Sequence, residues 1–282
     1  NGGGNYGIKT HPEKQKETVN AVVGMSSFDK DGNAIFDKNE FKPLLIHEFN
    51  HSFINYILEM GDNKSKLENS AKIIYELVKE DMESQAYTNW EIMINESLVR
   101  ASVVRYMIDN KYSQKEINEE ISIQEKRKFL WIKDLVELLG KYDSNRKQYP
   151  TLESFYPEII SFYDQLAPKF KTFMNDYEKN QPKVLSISPD IWNKNDVDPS
   201  IKEIIVNFDR EMAEGSSINL GSTGREHFPL IKNEGFVNNH KGIKLLTDMK
   251  PNTEYEFVLT DNKFKSKEGY PLKETVIKFK TK

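Results

Sequence analysis

The sequence predicts an α+β fold, in which a mainly helical domain with a small N-terminal sheet is followed by an all-β sandwich. Three observations support this prediction. Residues 5–37 consist of short extended runs between Gly, Pro and charged turns. Apolar residues then recur at helical spacings up to about residue 179. From residue 184 onward, apolar and polar residues alternate as they do in strands.

The break between the two patterns predicts two domains. Asn180-Gln181-Pro182 ends the helical pattern, so we expect a first domain over residues 1–179 and a second over residues 180–282. In the first domain, the expected strands cover residues 5–8, 19–25 and 34–36, and the expected helices cover residues 41–58, 63–80, 88–110, 113–141, 151–163 and 168–177. The spacing of Ser113 and Glu116 predicts a capping box at one of the helix starts.

The composition excludes several classes of protein and of metal site. The 282 residues are 37% hydrophobic and 30% charged, which is enough apolar material for two cores and too much for a disordered chain. No apolar run approaches the roughly 18 residues of a membrane span, so we expect a soluble chain. The net charge of −4 argues against nucleic-acid binding. The absence of cysteine excludes disulfides, Cys-ligated zinc and a cysteine nucleophile, so any metal must be held by His and carboxylates.

The motif His47-Glu48-Phe49-Asn50-His51 is the most specific signal in the chain. Residues four apart share one face of a helix, so His47 and His51 can reach one metal ion, and Glu48 lies beside it where it can hold a water molecule. This is the His-Glu-x-x-His arrangement of zinc enzymes. The mostly apolar residues 44–57 predict that the helix is buried. Two core histidines held by hydrogen bonds would give the same pattern without a metal.

A catalytic zinc usually has three protein ligands and one open position, so the two histidines need a partner. The other histidines are His11, His227 and His240. His11 lies beside a proline in an expected turn, and the other two fall in the predicted β domain. No third histidine follows His51 at the spacing of a further ligand. A carboxylate on another helix is therefore the expected third ligand.

Glu96 is the carboxylate that we favour. It lies on the predicted helix 88–110, whose apolar residues around it predict a buried side. Glu83 and Glu91 are the competing carboxylates. If no metal is bound, Glu96 is instead an exposed acid that pairs with Arg100 one turn later.

His47-Glu48-x-x-His51, followed by Asn95-Glu96 on a later helix, resembles the thermolysin-like glutamate-zincins, which are zinc peptidases. The resemblance covers roughly residues 5–110, and with the β tail the chain also resembles an uncharacterised family of secreted bacterial proteins expected to be peptidases. It implies a zincin-like domain in which Zn²⁺ is held by His47, His51 and Glu96. It also implies that Glu48 is the general base for the water that attacks the peptide bond. Substrate binds against a sheet-edge strand in these enzymes, which fits the short strands before the motif.

The chain departs from the thermolysin group at one position. That group often has an acid four residues after the ligand Glu, where it supports a ligand histidine, but here that residue is Arg100. Asn55, one turn after His51, is a candidate for the supporting role. Tyr106 and Arg100, on the helix of Glu96, are candidates for the donor that stabilises the oxyanion.

Residues 29–40 resemble an EF-hand calcium loop. The ligand positions hold Asp29, Asp31, Asn33, Asp37 and Glu40. However, Ala34 stands where the loop needs glycine, and the preceding segment is predicted as a strand rather than as the entering helix. We therefore favour a hairpin turn at Asp31-Gly32, followed by a helix start near Lys38, over a calcium loop.

The second domain resembles a bacterial Ig-like module. The residues that carry the resemblance are 184–189, 204–212, 246–255 and 278–281. Such modules occur on secreted and surface proteins, so the resemblance implies an extracellular, periplasmic or cell-surface location. The chain begins at Asn1 without methionine or a signal sequence, which we expect of a mature or trimmed product.

Together these features predict a secreted zinc-dependent metallopeptidase that acts on a peptide or protein substrate as a monomer. The Ig-like domain would contact the cell envelope or a glycan. Two alternatives stay open from the sequence. The chain could be a non-catalytic cell-surface binding protein, with a zincin-derived domain and an Ig-like module, or a zinc hydrolase of another substrate class. The intact Glu48 favours a catalyst, because a structural metal site does not need a carboxylate beside the metal.

Overall fold

The computed structural model describes residues 5–10, 16, 18–25, 27–36 and 38–282. These residues have the mixed α+β architecture that the sequence predicts, with small sheets near the start, then helices, then a β-rich part. The chain divides into two compact units, Asn1–Thr172 and Phe173–Lys282. Within the described residues, none of the helices combines the length and the apolar character that a membrane span requires.

Two small antiparallel hairpins precede the helices. In the first, β1 (Tyr6–Thr10) pairs with β2 (Thr18–Val22), and in the second, β3 (Ser27–Phe28) pairs with β4 (Ala34–Ile35). Strand β3 was not expected from the sequence because it is only two residues long.

The β3–β4 hairpin turns at the predicted Asp31-Gly32, where Gly32 has a φ of 82° that favours glycine. The carboxylate of Asp29 accepts hydrogen bonds from the backbone N–H groups of Asp31 (2.9 Å) and Asn33 (2.8 Å). Asp37 and the side chain of Glu40 lie outside the described residues. Calcium binding by residues 29–40 therefore stays a prediction.

The bounds of the helices differ from the predicted ones, and the later helices are divided differently. They are α1 (Lys38–Leu58), α2 (Asn63–Glu83), α3 (Trp90–Asp109), α4 (Gln114–Lys126), α5 (Ile132–Ser144) and α6 (Leu152–Asn180). The predicted capping box is present at the start of α4, where Ser113 and Glu116 bond to each other's backbone N–H groups. The domain boundary expected near residue 180 coincides with the end of α6. The two compact units divide a little earlier, inside this helix, between Thr172 and Phe173.

Two helix predictions are wrong. The single helix expected over residues 113–141 is interrupted between α4 and α5, where Lys128 has a φ of 67° and the neighbouring Phe129 and Trp131 are fully buried. The two helices expected on either side of residue 165 are one, because α6 continues through Pro168. The loss of one backbone hydrogen bond at this proline is offset by the packing of the buried Phe170.

Helix α3 is the central helix of the N-terminal unit. It packs against α1, α2, α4 and α5, and 12 of its 20 residues are buried, which means that it is enclosed on nearly all sides. Helix α1 packs on α3 with one face and on the β1–β2 hairpin with another. The prediction of a buried α1 is therefore only partly right, because some of its aromatic side chains are exposed, such as Phe53 at 52% and Tyr56 at 41%.

Strand β1 lies directly on the backbone of α1. A Cβ atom at Gly7 would lie 2.0 Å from the carbonyl oxygen of Glu48, so only glycine permits this approach. The hairpin thus contacts α1 at the residue that the sequence predicts to be the general base.

The C-terminal unit consists of two antiparallel sheets. Its strands are β5 (Val184–Ser188), β6 (Glu203–Phe208), β7 (Ile218–Leu220), β8 (Leu230–Val237), β9 (Gly242–Thr247), β10 (Glu254–Leu259) and β11 (Thr275–Lys280). The four-stranded sheet has the order β5-β6-β9-β8, and the three-stranded sheet has the order β11-β10-β7. Side chains of both sheets, such as Val206, Leu245 and Phe257, belong to one hydrophobic core. This shared core is that of the predicted sandwich.

Candidate metal centre

Three side chains from α1 and α3 converge at one point. His47 and His51 lie one turn apart on α1, and Glu96 faces them from α3. The two Nε2 atoms are 3.2 Å apart, His51 Nε2 is 3.3 Å from Glu96 Oε1, and His47 Nε2 is 3.6 Å from Glu96 Oε2. One ligand atom of each residue lies within 4.8 Å of the other two. The structure therefore brings together the three ligands predicted from the sequence.

These separations fit the ligands of a single zinc ion. Zinc bonds of about 2.0–2.1 Å in a tetrahedral arrangement place neighbouring ligand atoms about 3.3 Å apart. The distance of 3.2 Å between the two Nε2 atoms and that of 3.3 Å from His51 Nε2 to Glu96 Oε1 match this value with the side chains as they stand. His47 Nε2 is nearer to the other oxygen of Glu96, Oε2, at 3.6 Å. Two imidazoles and one carboxylate are also a donor set of catalytic zinc sites, which leave the fourth position open.

Asn55 supports one of the histidines. Its side-chain oxygen lies 3.2 Å from His51 Nδ1. If Nδ1–H donates to this oxygen, the lone pair of Nε2 faces His47 and Glu96, which is the orientation that a metal ligand needs. Asn55 thus lies where the sequence analysis expects a supporting residue.

The surroundings of the three side chains shift their pKa values in different directions. Burial, helped by the positive charge of Arg100, lowers the pKa of His47 to about 4, so this ring is neutral at neutral pH. Burial alone would raise the pKa of Glu96, but the hydrogen bond from His51 and the charge of Arg100 outweigh it and lower this pKa to about 2. For His51, the hydrogen bond and charge of Glu96 together outweigh burial and raise the pKa. The ionised carboxylate of Glu96 therefore faces the neutral ring of His47, whereas it favours a proton on His51 that a bound metal ion would replace.

Glu48 lies in the same cleft as the three candidate ligands. The cleft has a volume of about 430 Å³, and its further walls include Asn5, Leu44, Tyr87, Val103 and Arg127. Glu48 is only 5% exposed, and burial raises the pKa of its carboxyl group. Glu48 is not one of the three residues of the candidate metal group, but it lines the same cleft.

Two residues of the site escaped the sequence analysis. Tyr87 precedes α3, and its hydroxyl donates to Glu96 Oε2 over 3.2 Å. Gln124 on α4 accepts a hydrogen bond of 2.9 Å from Arg100. Neither residue has a periodic spacing from the motif, so the sequence offers no signal for them. Glu96 forms the ion pair with Arg100 that the metal-free alternative expects. That alternative also expects an exposed acid, however, and Glu96 is only 8% exposed.

The other candidates lie elsewhere. Tyr106 is 39% exposed, meets the ring of Tyr112 edge-on and does not line the cleft. Glu91 forms an ion pair of 2.9 Å with Lys64, and Glu83 is exposed.

The two other histidines that the structure describes do not join the group. His227 and His240 belong to the C-terminal unit, where His227 Nδ1 lies 2.7 Å from the carbonyl oxygen of Glu254 and His240 stacks on Phe236. His11 lies outside the described residues.

A family comparison covers the whole candidate site. Residues 2–162 match the family described as "Domain of unknown function (DUF4932)", and this match is more than half of the 282 residues. The chain belongs to this family. His47, Glu48, His51 and Glu96 all lie inside the matched part.

Comparisons with other proteins add little. No curated protein matches the chain. It is similar to CopC from Methylosinus trichosporium OB3b, with 20% identity over 36% of this chain and 93% of that one, at a TM-score of 0.27. It is also similar to the S-layer protein rSbsC(31-844), with 14% identity over 84% of this chain and 33% of that one, at a TM-score of 0.26. The chain thus spans about a third of the S-layer protein, and TM-scores this low carry no argument.

Proposed function

We propose that this protein is a zinc-dependent metallopeptidase. The observation that carries the proposal is the triangle of 3.2, 3.3 and 3.6 Å between the side chains of His47, His51 and Glu96, with the buried Glu48 in the same cleft. In this proposal His47, His51 and Glu96 hold the ion. When bound, zinc supplies a Lewis acid that polarises a substrate carbonyl group.

Glu48 is the proposed general base. It accepts a proton from the attacking water and then returns it to the leaving amine, so that the group ends the cycle ionised. Burial supports this role because it raises the pKa of the carboxyl group, and a stronger base takes the proton more readily. The close contact of β1 with the Glu48 backbone holds this residue in place from the other side.

The peptide substrate is supported by the shape of the cleft and by the resemblance to glutamate-zincins. The cleft of about 430 Å³ is lined by both apolar and charged side chains, which suits an extended chain with mixed side chains. We further propose that the C-terminal unit is an Ig-like module that contacts the cell envelope or a glycan, and that the protein acts outside the cytoplasm as a monomer. The two sheets with one shared core support the proposal that the C-terminal unit is an Ig-like module.

The decisive experiment compares Glu48→Gln with the unaltered protein. The substitution keeps the size of the side chain and all three candidate ligands, but it removes the base. We expect about one zinc per chain in both proteins, measured by elemental analysis, and a loss of peptide-library cleavage of at least about 10²-fold in the variant. Glu76→Gln, at an exposed position of α2, is the matched control and should keep both properties.

The other outcomes separate the alternatives. Zinc in the unaltered protein without cleavage of any peptide would favour a non-catalytic binding protein or a hydrolase of another substrate class. Loss of zinc in Glu48→Gln would make Glu48 a ligand. Unchanged cleavage by Glu48→Gln would assign the base to another group and contradict the proposed mechanism.

A further inference from the structure

The buried guanidinium of Arg100 is the feature of the cleft that the proposed mechanism does not use. Arg100 follows Glu96 by one turn of α3 and is 8% exposed. A buried cation is costly unless it is paired and hydrogen-bonded, so the contacts of this side chain indicate what it does.

Several contacts fix the guanidinium in one orientation. Its Nη2 atom lies 3.0 Å from Glu96 Oε2 and donates to the Tyr87 hydroxyl at 2.5 Å. Its Nη1 atom donates to Gln124 Oε1 at 2.9 Å. The guanidinium carbon lies over the rings of Tyr87 and Phe129, 5.7 and 5.3 Å from their centroids. A guanidinium group with this many partners cannot turn toward a substrate without losing these contacts.

The two oxygens of Glu96 consequently differ. Oε2 faces Arg100 at 3.0 Å and also accepts the hydroxyl hydrogen of Tyr87 at 3.2 Å. Burial raises the pKa of Tyr87, which keeps this hydroxyl protonated and able to donate. Oε1 lies 3.3 Å from His51 Nε2, whereas the contact of Oε2 with the histidines is the longer one, 3.6 Å to His47 Nε2. An oxygen that already forms an ion pair with a cation and accepts a hydrogen bond has less electron density to offer a metal, so Oε1 is the better ligand atom.

We propose that Arg100 and Tyr87 are positioning residues that hold Glu96 by Oε2 and leave Oε1 as its metal-ligand atom. The inference rests on the metal centre of the proposed function and deepens it. Binding through one oxygen keeps three protein ligands and an open fourth position, which a catalytic site needs. Binding through both oxygens would occupy that position. Gln124 extends the support to α4.

Cobalt(II), bound in place of zinc by the purified full chain, tests this arrangement. The visible absorption of cobalt(II) is strong in four-coordinate sites and weak when five or six ligands bind, so the spectrum reports the number of ligand atoms. Arg100→Met removes the cation, Arg100→Lys keeps the charge without the planar fork, and Tyr87→Phe removes only the hydroxyl. Arg105→Met is the matched control, because Arg105 lies on the same helix but pairs with Asp109 outside the cleft.

We expect Arg100→Met to weaken zinc binding by about 10–100-fold, which is the usual cost of removing a group that orients a metal ligand. Its cobalt spectrum should lose intensity because the freed carboxylate binds through both oxygens. Tyr87→Phe should change affinity and spectrum in the same direction to a smaller extent, and Arg100→Lys should lie between Arg100→Met and the unaltered protein. Arg105→Met should match the unaltered protein in both measurements.

Unchanged zinc affinity and cobalt spectra in Arg100→Met and Tyr87→Phe would overturn the inference and leave the metal centre standing. If circular dichroism shows that Arg100→Met does not fold, Tyr87→Phe decides alone, since it removes a single oxygen atom. Failure of the unaltered protein to bind either metal would instead overturn the proposed function itself.

Discussion

Replacing Gly7 by alanine tests how β1 lies on the helix of the metal centre. The added Cβ atom would be 2.0 Å from the carbonyl oxygen of Glu48 and 3.0 Å from its carbonyl carbon. Since Cβ atoms essentially never come within 3.0 Å of another heavy atom, β1 or α1 must move by about 1 Å. Both contacts are with backbone, so no side-chain rotation can relieve them.

The size of the effect follows from this displacement. Overpacking typically lowers the free energy of unfolding by about 1–3 kcal/mol, and we expect a loss in this range for Gly7→Ala. The displaced backbone belongs to the proposed base, and a shift of about 1 Å can lower an enzymatic rate by about 10²-fold. Zinc content should stay unchanged, because the substitution touches no ligand side chain.

Gly24→Ala is the matched control. The nearest atom to its added Cβ is Asn5 Oδ1 at 3.5 Å, which is an ordinary contact. Urea unfolding followed by far-ultraviolet circular dichroism gives the free energy of unfolding of both variants. Equal free energies of unfolding for Gly7→Ala and Gly24→Ala would contradict the close approach of β1 to the backbone of Glu48.

Four further predictions concern the metal, the pH and the second unit. His47→Ala and Glu96→Gln should each lose stoichiometric zinc in elemental analysis, whereas Glu91→Gln should keep it. Zinc at 100 times its Kd should raise the free energy of unfolding by about 2.7 kcal/mol, and a strong chelator should reverse this gain. Partners in the folded chain lower the pKa of Glu96 from 4.5 to about 2. Its ionised form therefore stabilises the metal-free protein above pH 4.5, and this contribution is lost as the pH falls toward 2. Acid unfolding of Glu96→Gln should accordingly depend less on pH over this range. A shortened chain that ends at Lys179 should give the same helical circular dichroism per helix residue and unfold cooperatively. An unfolded shortened chain would mean that the two units depend on each other.

The sequence predicts those parts of the site that depend on local geometry. His47 and His51 converge because residues four apart share a helix face, and this spacing is visible in the sequence. Asn55 follows from the same rule, since it lies one turn after His51. Glu96 required more: an apolar environment on a second helix and a resemblance to a known family.

Tyr87 and Gln124 could not be predicted in this way. Tyr87 lies in the segment before α3 and Gln124 lies on α4, and both approach Arg100 only because these segments pack on α3. Tertiary packing of this kind leaves no periodic signal in the chain. Arg100 stood out in the sequence as a departure from the thermolysin group, but its hydrogen-bond partners appear only in the fold.

The errors in the helix predictions have the same origin. The apolar spacing continues across Lys128, so it gives no sign that α4 and α5 are separated by a residue with positive φ. Pro168 predicts a helix end locally, yet the buried side chains around it keep α6 continuous. In both cases packing outweighs the local preference of the chain.

The central claim is that His47, His51 and Glu96 hold one zinc ion. Anomalous diffraction at the zinc absorption edge, from crystals of the zinc-loaded protein, tests it directly. We predict one strong peak about 2.0–2.2 Å from the Nε2 atoms of both histidines and from Glu96 Oε1. A zinc peak elsewhere in the molecule, or a direct hydrogen bond between the two imidazoles with no peak beside them, would contradict the claim.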